Sequence, residues 1–300
     1  MGVILNAYIS MNHGVTIKTP EELELIRKGG KKLGNILDRL CKMVKPSVTT
    51  EELDVAAERM IREAGGEPAF KGYTTRLGLI PFSTTICACL NNEVVHAPAV
   101  PSRMIKEGDL VKIDIGMRWP VRPSPGLRPS SPAGRGASKH FPSPSGRGEG
   151  EGGLFTDTAR TVIVGKVDKK VRELVKVTEK ALKIGIKQVR AGRRVSHIAK
   201  AVEKYIEKFG FGIVRDLVGH GVGYKVHEPP EVPNFWEEGF PDCVLEEGMV
   251  IAIEPMVNLG GWRVKVQPDG WTIVTVDGKP SAHFEHTVIV RKRGAEIVTK

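Results

Sequence analysis

Five residues of metal-ligand type lie in five separate apolar, strand-like stretches of this 300-residue chain. They are Asp114 in Lys112-Ile113-Asp114-Ile115, Asp157 in Phe155-Thr156-Asp157-Thr158, His220 in Gly219-His220-Gly221-Val222-Gly223, Glu254 in Ile253-Glu254-Pro255-Met256 and Glu285 in Phe284-Glu285-His286-Thr287. A charged group flanked by β-branched and aromatic residues is costly to bury alone. One such residue is compatible with a buried salt bridge. Four carboxylates and one imidazole in the same setting look instead like a cage for two divalent cations. Their charges balance two M²⁺ ions, and oxygen donors with one nitrogen suit Mn, Fe, Co or Zn. Two-metal sites of this kind activate water and polarise a carbonyl or phosphoryl oxygen.

The remaining pattern supplies helices between these strands. Thr19-Pro20-Glu21-Glu22 reads as a helix start, with a capping hydroxyl, proline in the first turn and then acids. Leu23, Ile26, Leu33, Ile36, Leu37 and Leu40 follow at helical spacing. Thr49-Thr50-Glu51-Glu52 offers a second capping box for a helix through Ala64. Strand-type runs are expected at 83–90, 93–98 and 109–118, and helices at 167–190 and 196–209. Ala57–Gly65 and Val202–Gly210 match in pattern, each closing a helix on glycine. Chance likeness of two amphipathic helices accounts for this as readily as a pseudo-two-fold α+β domain does.

From Trp119 to Gly153 the chain is mostly Pro, Gly and Ser, and Pro123-Ser124-Pro125-Gly126 is echoed by Pro142-Ser143-Pro144-Ser145-Gly146. This composition cannot bury a core, so disorder is expected there. Both flanks read as strands, which predicts a β-hairpin carrying a long insertion at its tip. Loop closure grows logarithmically with length, and three doublings cost about 2 kcal/mol. Across such a hairpin Asp114 and Asp157 are expected to face one side as cross-strand neighbours.

Two further histidines stand in suggestive settings, His96 in Asn92-Glu93-Val94-Val95-His96-Ala97-Pro98 and His227 in Val226-His227-Glu228-Pro229-Pro230. With the five ligand-type segments, Asn91–His96, His227–Pro230 and Asp269-Gly270-Trp271-Thr272, the chain resembles the type I methionine aminopeptidases, among the pita-bread metallopeptidases. The likeness runs over 17–299 apart from 119–153. It implies an α+β fold of creatinase/aminopeptidase type, a pseudo-two-fold antiparallel sheet with helices on its outer face. It also implies an extension over 1–16 and a single metallopeptidase domain over 17–300, interrupted by the insertion.

The resemblance further implies roles. Asp157 and Glu285 would bridge two metal ions, Asp114 would chelate one, and His220 and Glu254 would complete the shell of the other. A bridging water becomes the nucleophile, Glu254 handles its proton, His227 steadies the developing oxyanion, and His96 contacts the substrate and helps deliver a proton. Phe82, Cys87 and Trp271 would line a pocket for a methionine side chain, for which an aromatic and sulfur-rich wall is suitable. Val226 stands where family members often carry an aromatic residue, a departure that bears on pocket shape. The implied activity is removal of N-terminal methionine from nascent polypeptides, with a small second residue preferred. An X-Pro peptidase of prolidase type is the nearest competing reading. A non-catalytic module binding RNA or the ribosome is another, although such a module is expected to have lost ligands.

The net charge of +10 favours anionic partners such as the ribosome, but no sequence-specific nucleic-acid motif accompanies it. Four cysteines, with no C-x-x-C pair, read as reduced thiols of a cytoplasmic protein. No apolar run is long enough to span a membrane. A monomer is expected, and either Met1 or Met11 serves as the start.

Overall fold

The computed structural model describes residues 14–74, 80–121 and 153–300. The expected disorder of the insertion, and most of the N-terminal extension, lie outside the described residues.

Among the described residues four α-helices are arranged as two pairs. Helix α1, Pro20–Met43, begins on the expected capping box: Thr19 Oγ1 accepts from Glu22 N and Glu22 Oε2 accepts from Thr19 N. Helix α2, Thr50–Glu63, repeats the device with Thr49 and Glu52. Helices α3, Lys169–Ile186, and α4, Val195–Ile206, form the second pair, with one 3₁₀ turn at Glu207–Phe209. The two helices compared in the sequence, α2 and α4, both stop on a left-handed glycine, Gly65 at φ +78° and Gly210 at φ +70°. A side chain is disfavoured in that region, which is why both copies need glycine there.

Each helix pair covers its own antiparallel sheet. Under α1 and α2, Leu33, Leu37, Leu53 and Ile61 pack on Ile86, Ile113, Ile115 and Met117. Under α3 and α4, Leu174, Ile198, Val202 and Ile206 pack on Ile251, Ile253, Val288 and Val290. The first sheet contains the strand pair Leu110–Trp119 and Leu154–Ile163, joined over ten residue pairs from Leu110↔Ile163 to Trp119↔Leu154. Ile86–Leu90 and the short Glu67–Pro68 pair with the other edge of Leu110–Trp119. The second sheet has five strands in the order Gly294–Ile297, His286–Arg291, Val250–Ile253, Gly219–Gly221, Glu228–Val232. A three-stranded sheet, Ser281–His283 beside Met256–Asn258 beside Gly212–Ile213, and another built from Val264–Val266, Ile273–Thr275 and Glu93–Val95, complete the sheets among the described residues.

Alternation along Leu110–Trp119 sorts its residues by face. Ile113, Ile115 and Met117 enter the core beneath the helices, while Lys112, Asp114 and Gly116 point to the opposite side. Both faces are covered, so every residue from Leu110 to Met117 is buried, the charged Lys112 and Asp114 included. Lys112 is completely buried, and its ammonium donates to the carbonyls of Asn91 at 2.7 Å and Ser281 at 3.2 Å.

Candidate metal centre and apolar pocket

All ten residues singled out in the sequence line one cavity of about 590 Å³: Phe82, Cys87, His96, Asp114, Asp157, His220, His227, Glu254, Trp271 and Glu285. The strands place them in three ways.

Asp114 and Asp157 come from the hairpin, but not as directly opposed residues. Asp157 pairs with Gly116, and Asp114 pairs with Ala159 on one side and Cys87 on the other. An offset of two residues keeps both carboxylates on one face as diagonal neighbours. Asp157 is fixed from behind, since its backbone N–H donates to Thr287 Oγ1 at 2.9 Å and Thr287 Oγ1 donates to its carbonyl at 2.7 Å.

Glu254 and Glu285 are not inside strands, contrary to their strand-like sequence setting. Each occupies a break at which the chain leaves one sheet for another. Val250–Ile253 belongs to the five-stranded sheet and Met256–Asn258 to a three-stranded one, with Glu254-Pro255 between them. Ser281–His283 and His286–Arg291 make the same change in reverse around Phe284-Glu285. The two breaks lie side by side, because Met256 pairs with His283 and Ile253 pairs with His286. Pro255 has no N–H to continue a ladder, which favours a break at that point. Asn234 Nδ2 donates to the Glu254 carbonyl at 3.1 Å, and Glu285 N donates to Ala159 O at 2.9 Å, so both turns are anchored.

His220 lies in the short strand Gly219–Gly221, where added Cβ atoms would meet backbone oxygens at 2.4 Å from Gly219 and 2.2 Å from Gly221. Only glycine allows that approach on both sides of the ring. His220 Nδ1 donates to Gly221 O at 3.0 Å, which leaves Nε2 as the lone-pair nitrogen facing the cavity. His286, although next to Glu285, turns away and meets Thr299 Oγ1 at 3.0 Å.

The donor chemistry fits divalent metal. Ligand atoms of Asp157, His220 and Glu285 all lie within 4.8 Å of one another. Glu254 Oε1 is 3.5 Å from His220 Nε2, and Asp114 Oδ1 is buried with no hydrogen-bond partner among the described residues. Burial pushes Asp114 up to about 6 and Glu254 up to about 8. Asp157 and Glu285 are held well above the usual carboxylate range, first by burial and then by neighbouring carboxylates. Burial also holds His220 down to about 3, so its nitrogen stays available as a donor. Acids crowded in this way are stabilised by cations among them.

The apolar side of the cavity is a cluster of Ala69, Phe70, Phe82, Cys87, Cys89, Ala97 and Val226, with Tyr73 and Trp271 packed against it. Phe82 meets Phe70 edge-on at 6.5 Å and Trp271 at 5.3 Å. Trp271 Nε1 donates to Ile80 O at 3.0 Å, which pins the indole at the rim. Val226, the departure noted in the sequence, is buried in this wall.

His227 stands 4.4 Å from His220, ring to ring, and its Nδ1 is 2.9 Å from the Tyr73 hydroxyl. Its neighbour Glu228 is buried and accepts from Tyr224 N and Lys225 N, both at 3.0 Å, and from the Lys18 ammonium. His96 reaches the cavity from a left-handed backbone, φ +59°, a conformation that non-glycine residues adopt only under constraint. Sequence reasoning passed over Tyr73 and His283. Tyr73 gave no signal beyond a second aromatic in Phe70-Lys71-Gly72-Tyr73, whereas His283 stands two residues before Glu285 on an apolar run and was open to notice.

Comparison with known proteins agrees with this geometry. The model for metallopeptidase family M24 matches residues 24–121 and 148–292, passing over most of the Pro/Gly/Ser-rich stretch. The methionine aminopeptidase of Clostridium perfringens is 39% identical over 286 residues, covering 95% of this chain and 98% of that protein. Methionine aminopeptidase 1 of Bacillus subtilis is 37% identical, with 95% and 99% covered. The crystal structure of the Thermotoga maritima methionine aminopeptidase superposes with a TM-score of 0.79 at 37% identity, covering 95% of this chain and 99% of that one. The prolidase of Pyrococcus horikoshii, 20% identical with a TM-score of 0.67 and 63% of its length covered, shares the fold. The expected pita-bread architecture is therefore the one observed, and the chain belongs to metallopeptidase family M24 and, within it, to the methionine aminopeptidases.

Proposed function

We propose that this protein removes the N-terminal methionine from nascent polypeptides whose second residue is small. The observation that carries the reading is the meeting, in one cavity, of the five-ligand set with His96, His227 and the wall of Phe82, Cys87 and Trp271. In this reading Asp157 and Glu285 would serve as the shared ligands of two cations, with Asp114, His220 and Glu254 as the further ligands. Such ions, Co²⁺, Mn²⁺, Fe²⁺ or Zn²⁺, would supply Lewis acidity that lowers the pKa of water and polarises a carbonyl.

The chain's own groups do the rest. Glu254 takes the proton of the attacking water as general base. His227, with Nδ1 engaged by Tyr73, presents Nε2 to the carbonyl oxygen as charge develops there. His96 holds the substrate beyond the scissile bond and helps protonate the leaving amine. Phe82, Cys87 and Trp271, with Phe70 and Val226, receive the thioether side chain, whose polarizable sulfur suits aromatic edges. We read the chain as a cytoplasmic monomer whose charge of +10 favours the anionic surface of the ribosome. Among the described residues no helix is long and apolar enough to cross a membrane.

The test is cleavage of a Met-Ala-Ser peptide by purified protein stripped with chelator, then resupplied with Co²⁺, Mn²⁺ or Fe²⁺. Activity should vanish and return with metal. Undiminished cleavage after verified metal removal overturns the reading, and faster turnover of an X-Pro peptide would favour the prolidase-like alternative.

A further inference from the structure

Glu254 is flanked by two histidines. Its Oε1 lies 3.5 Å from His220 Nε2, and its Oε2 lies 3.5 Å from His283 Nε2. His220 has a place in the ligand set, and His283 has none. Yet His283 has a side chain only 1% exposed, and neither of its ring nitrogens has a hydrogen-bond partner among the described residues. A buried imidazole with both nitrogens unpaired is destabilising, and native interiors rarely keep one without a reason.

The backbone around His283 leaves it little freedom. His283 N donates to Thr161 Oγ1 at 2.9 Å, and Thr161 Oγ1 donates to the His283 carbonyl at 2.7 Å. The residue is also held opposite Met256 in the ladder that ends at the Glu254 break. Its ring is thus carried on a fixed strand, beside a carboxylate on a turn. A carboxylate is an acceptor only, so the contact requires the proton on Nε2.

We propose that His283 is a positioning residue for Glu254: Nε2–H engages Oε2 and leaves Oε1 turned toward His220. This rests on the reading of Glu254 as a metal-binding carboxylate. Groups that orient a ligand from behind are commonly worth about 10–100-fold in metal affinity or activity.

The experiment compares wild type, His283→Gln and His283→Met as chelated full-length proteins titrated with Mn²⁺ by calorimetry, alongside thermal unfolding and the visible absorption of the Co²⁺ forms. Glutamine keeps a terminal N–H, and methionine fills similar volume without a donor. His283→Met is expected to bind at least one Mn²⁺ about 10–100-fold more weakly and to shift the Co²⁺ bands while still unfolding cooperatively. His283→Gln is expected to stay near wild type in all three. Wild-type affinity and spectrum in His283→Met overturn the proposal. So does a His283→Gln as impaired as a folded His283→Met, since the ring itself would then be needed. Should His283→Met fail to fold, His283→Asn, whose shorter amide does not reach Glu254, replaces it with the same expectations. A wild-type protein that binds no Mn²⁺ would instead sink the metallopeptidase reading, so the two failures are distinct.

Discussion

Asp157 sits opposite Gly116, one ladder step of two residues away from the partner of Asp114. The empty position at Gly116 serves the pocket. A Cβ there would lie 2.8 Å from Ala69 Cβ and 2.8 Å from Phe70 Cε1, and Phe70 is part of the cavity wall. Gly116→Ala should therefore push Phe70 off its site. We expect a loss of about 1–3 kcal/mol in denaturant unfolding, a raised KM for Met-Ala-Ser and unchanged metal content. An unaltered KM in a destabilised variant would detach Phe70 from substrate recognition.

Asp157 itself faces His220 and Glu285 within the donor cluster. A neutral amide is a poor bridge between two cations, so Asp157→Asn should lose at least one equivalent of metal, measured by atomic emission after dialysis. Two equivalents retained at wild-type affinity would remove Asp157 from the bridging role.

His227 and Tyr73 give a graded pair. Replacing His227 with alanine should keep the metals and lower kcat by about 10²–10³-fold. Tyr73→Phe removes only the hydroxyl that meets Nδ1 at 2.9 Å, so its cost in kcat should be clearly smaller at unchanged metal content. Loss of metal from His227→Ala, with full activity on resupply, would contradict the assigned role.

Much of the site was legible because burial conflicts with charge. Asp114, Asp157 and His220 stood out as polar residues in apolar runs, and the fold places them on inward strand faces. Helix starts were equally plain, because Thr19 and Thr49 each supply a hydroxyl three residues before a glutamate. The offset of Asp114 from Asp157 was not readable, since register depends on long-range pairing with the Ile86–Leu90 strand and the second sheet. Pro255 marks a break after Glu254 in the sequence, but the change of sheet there was not readable, and at Glu285 the flanking Phe284 and Val288-Ile289-Val290 are equally compatible with an unbroken strand. Nothing in the sequence around Lys112 signals a buried ammonium. Its burial follows from carbonyls of Asn91 and Ser281, the latter far away in sequence.

The loop bearing His227 depends on a buried ion pair. Lys18 and Glu228 have side chains 1% and 4% exposed. Removing one partner leaves the other charge uncompensated, typically at about 3–5 kcal/mol. Lys18→Met should lower unfolding free energy by that order and lower kcat through displacement of His227. Stability within about 0.5 kcal/mol of wild type, the range of an ordinary surface change, would mean that the pair is solvated in solution.

The final prediction concerns the Pro/Gly/Ser-rich stretch. The hairpin ladder runs to Trp119↔Leu154, and Val121 N still donates to Gly65 O at 3.0 Å. Beyond the ladder the two chain ends remain adjacent, since a Cβ on Gly153 would lie 2.5 Å from Pro120 O. A turn of about two to four residues is therefore long enough to join Val121 to Gly153. Replacing 122–152 in this way should preserve kcat/KM and metal affinity, and raise stability by about 2 kcal/mol at most, through loop entropy alone. Limited proteolysis of the full-length chain should cut near Arg135 or Arg147 and leave the metal site working. A folded deletion variant with lost activity would show that the segment takes part in substrate or partner binding. Metal binding by the deletion variant alone would show that the segment disables the enzyme.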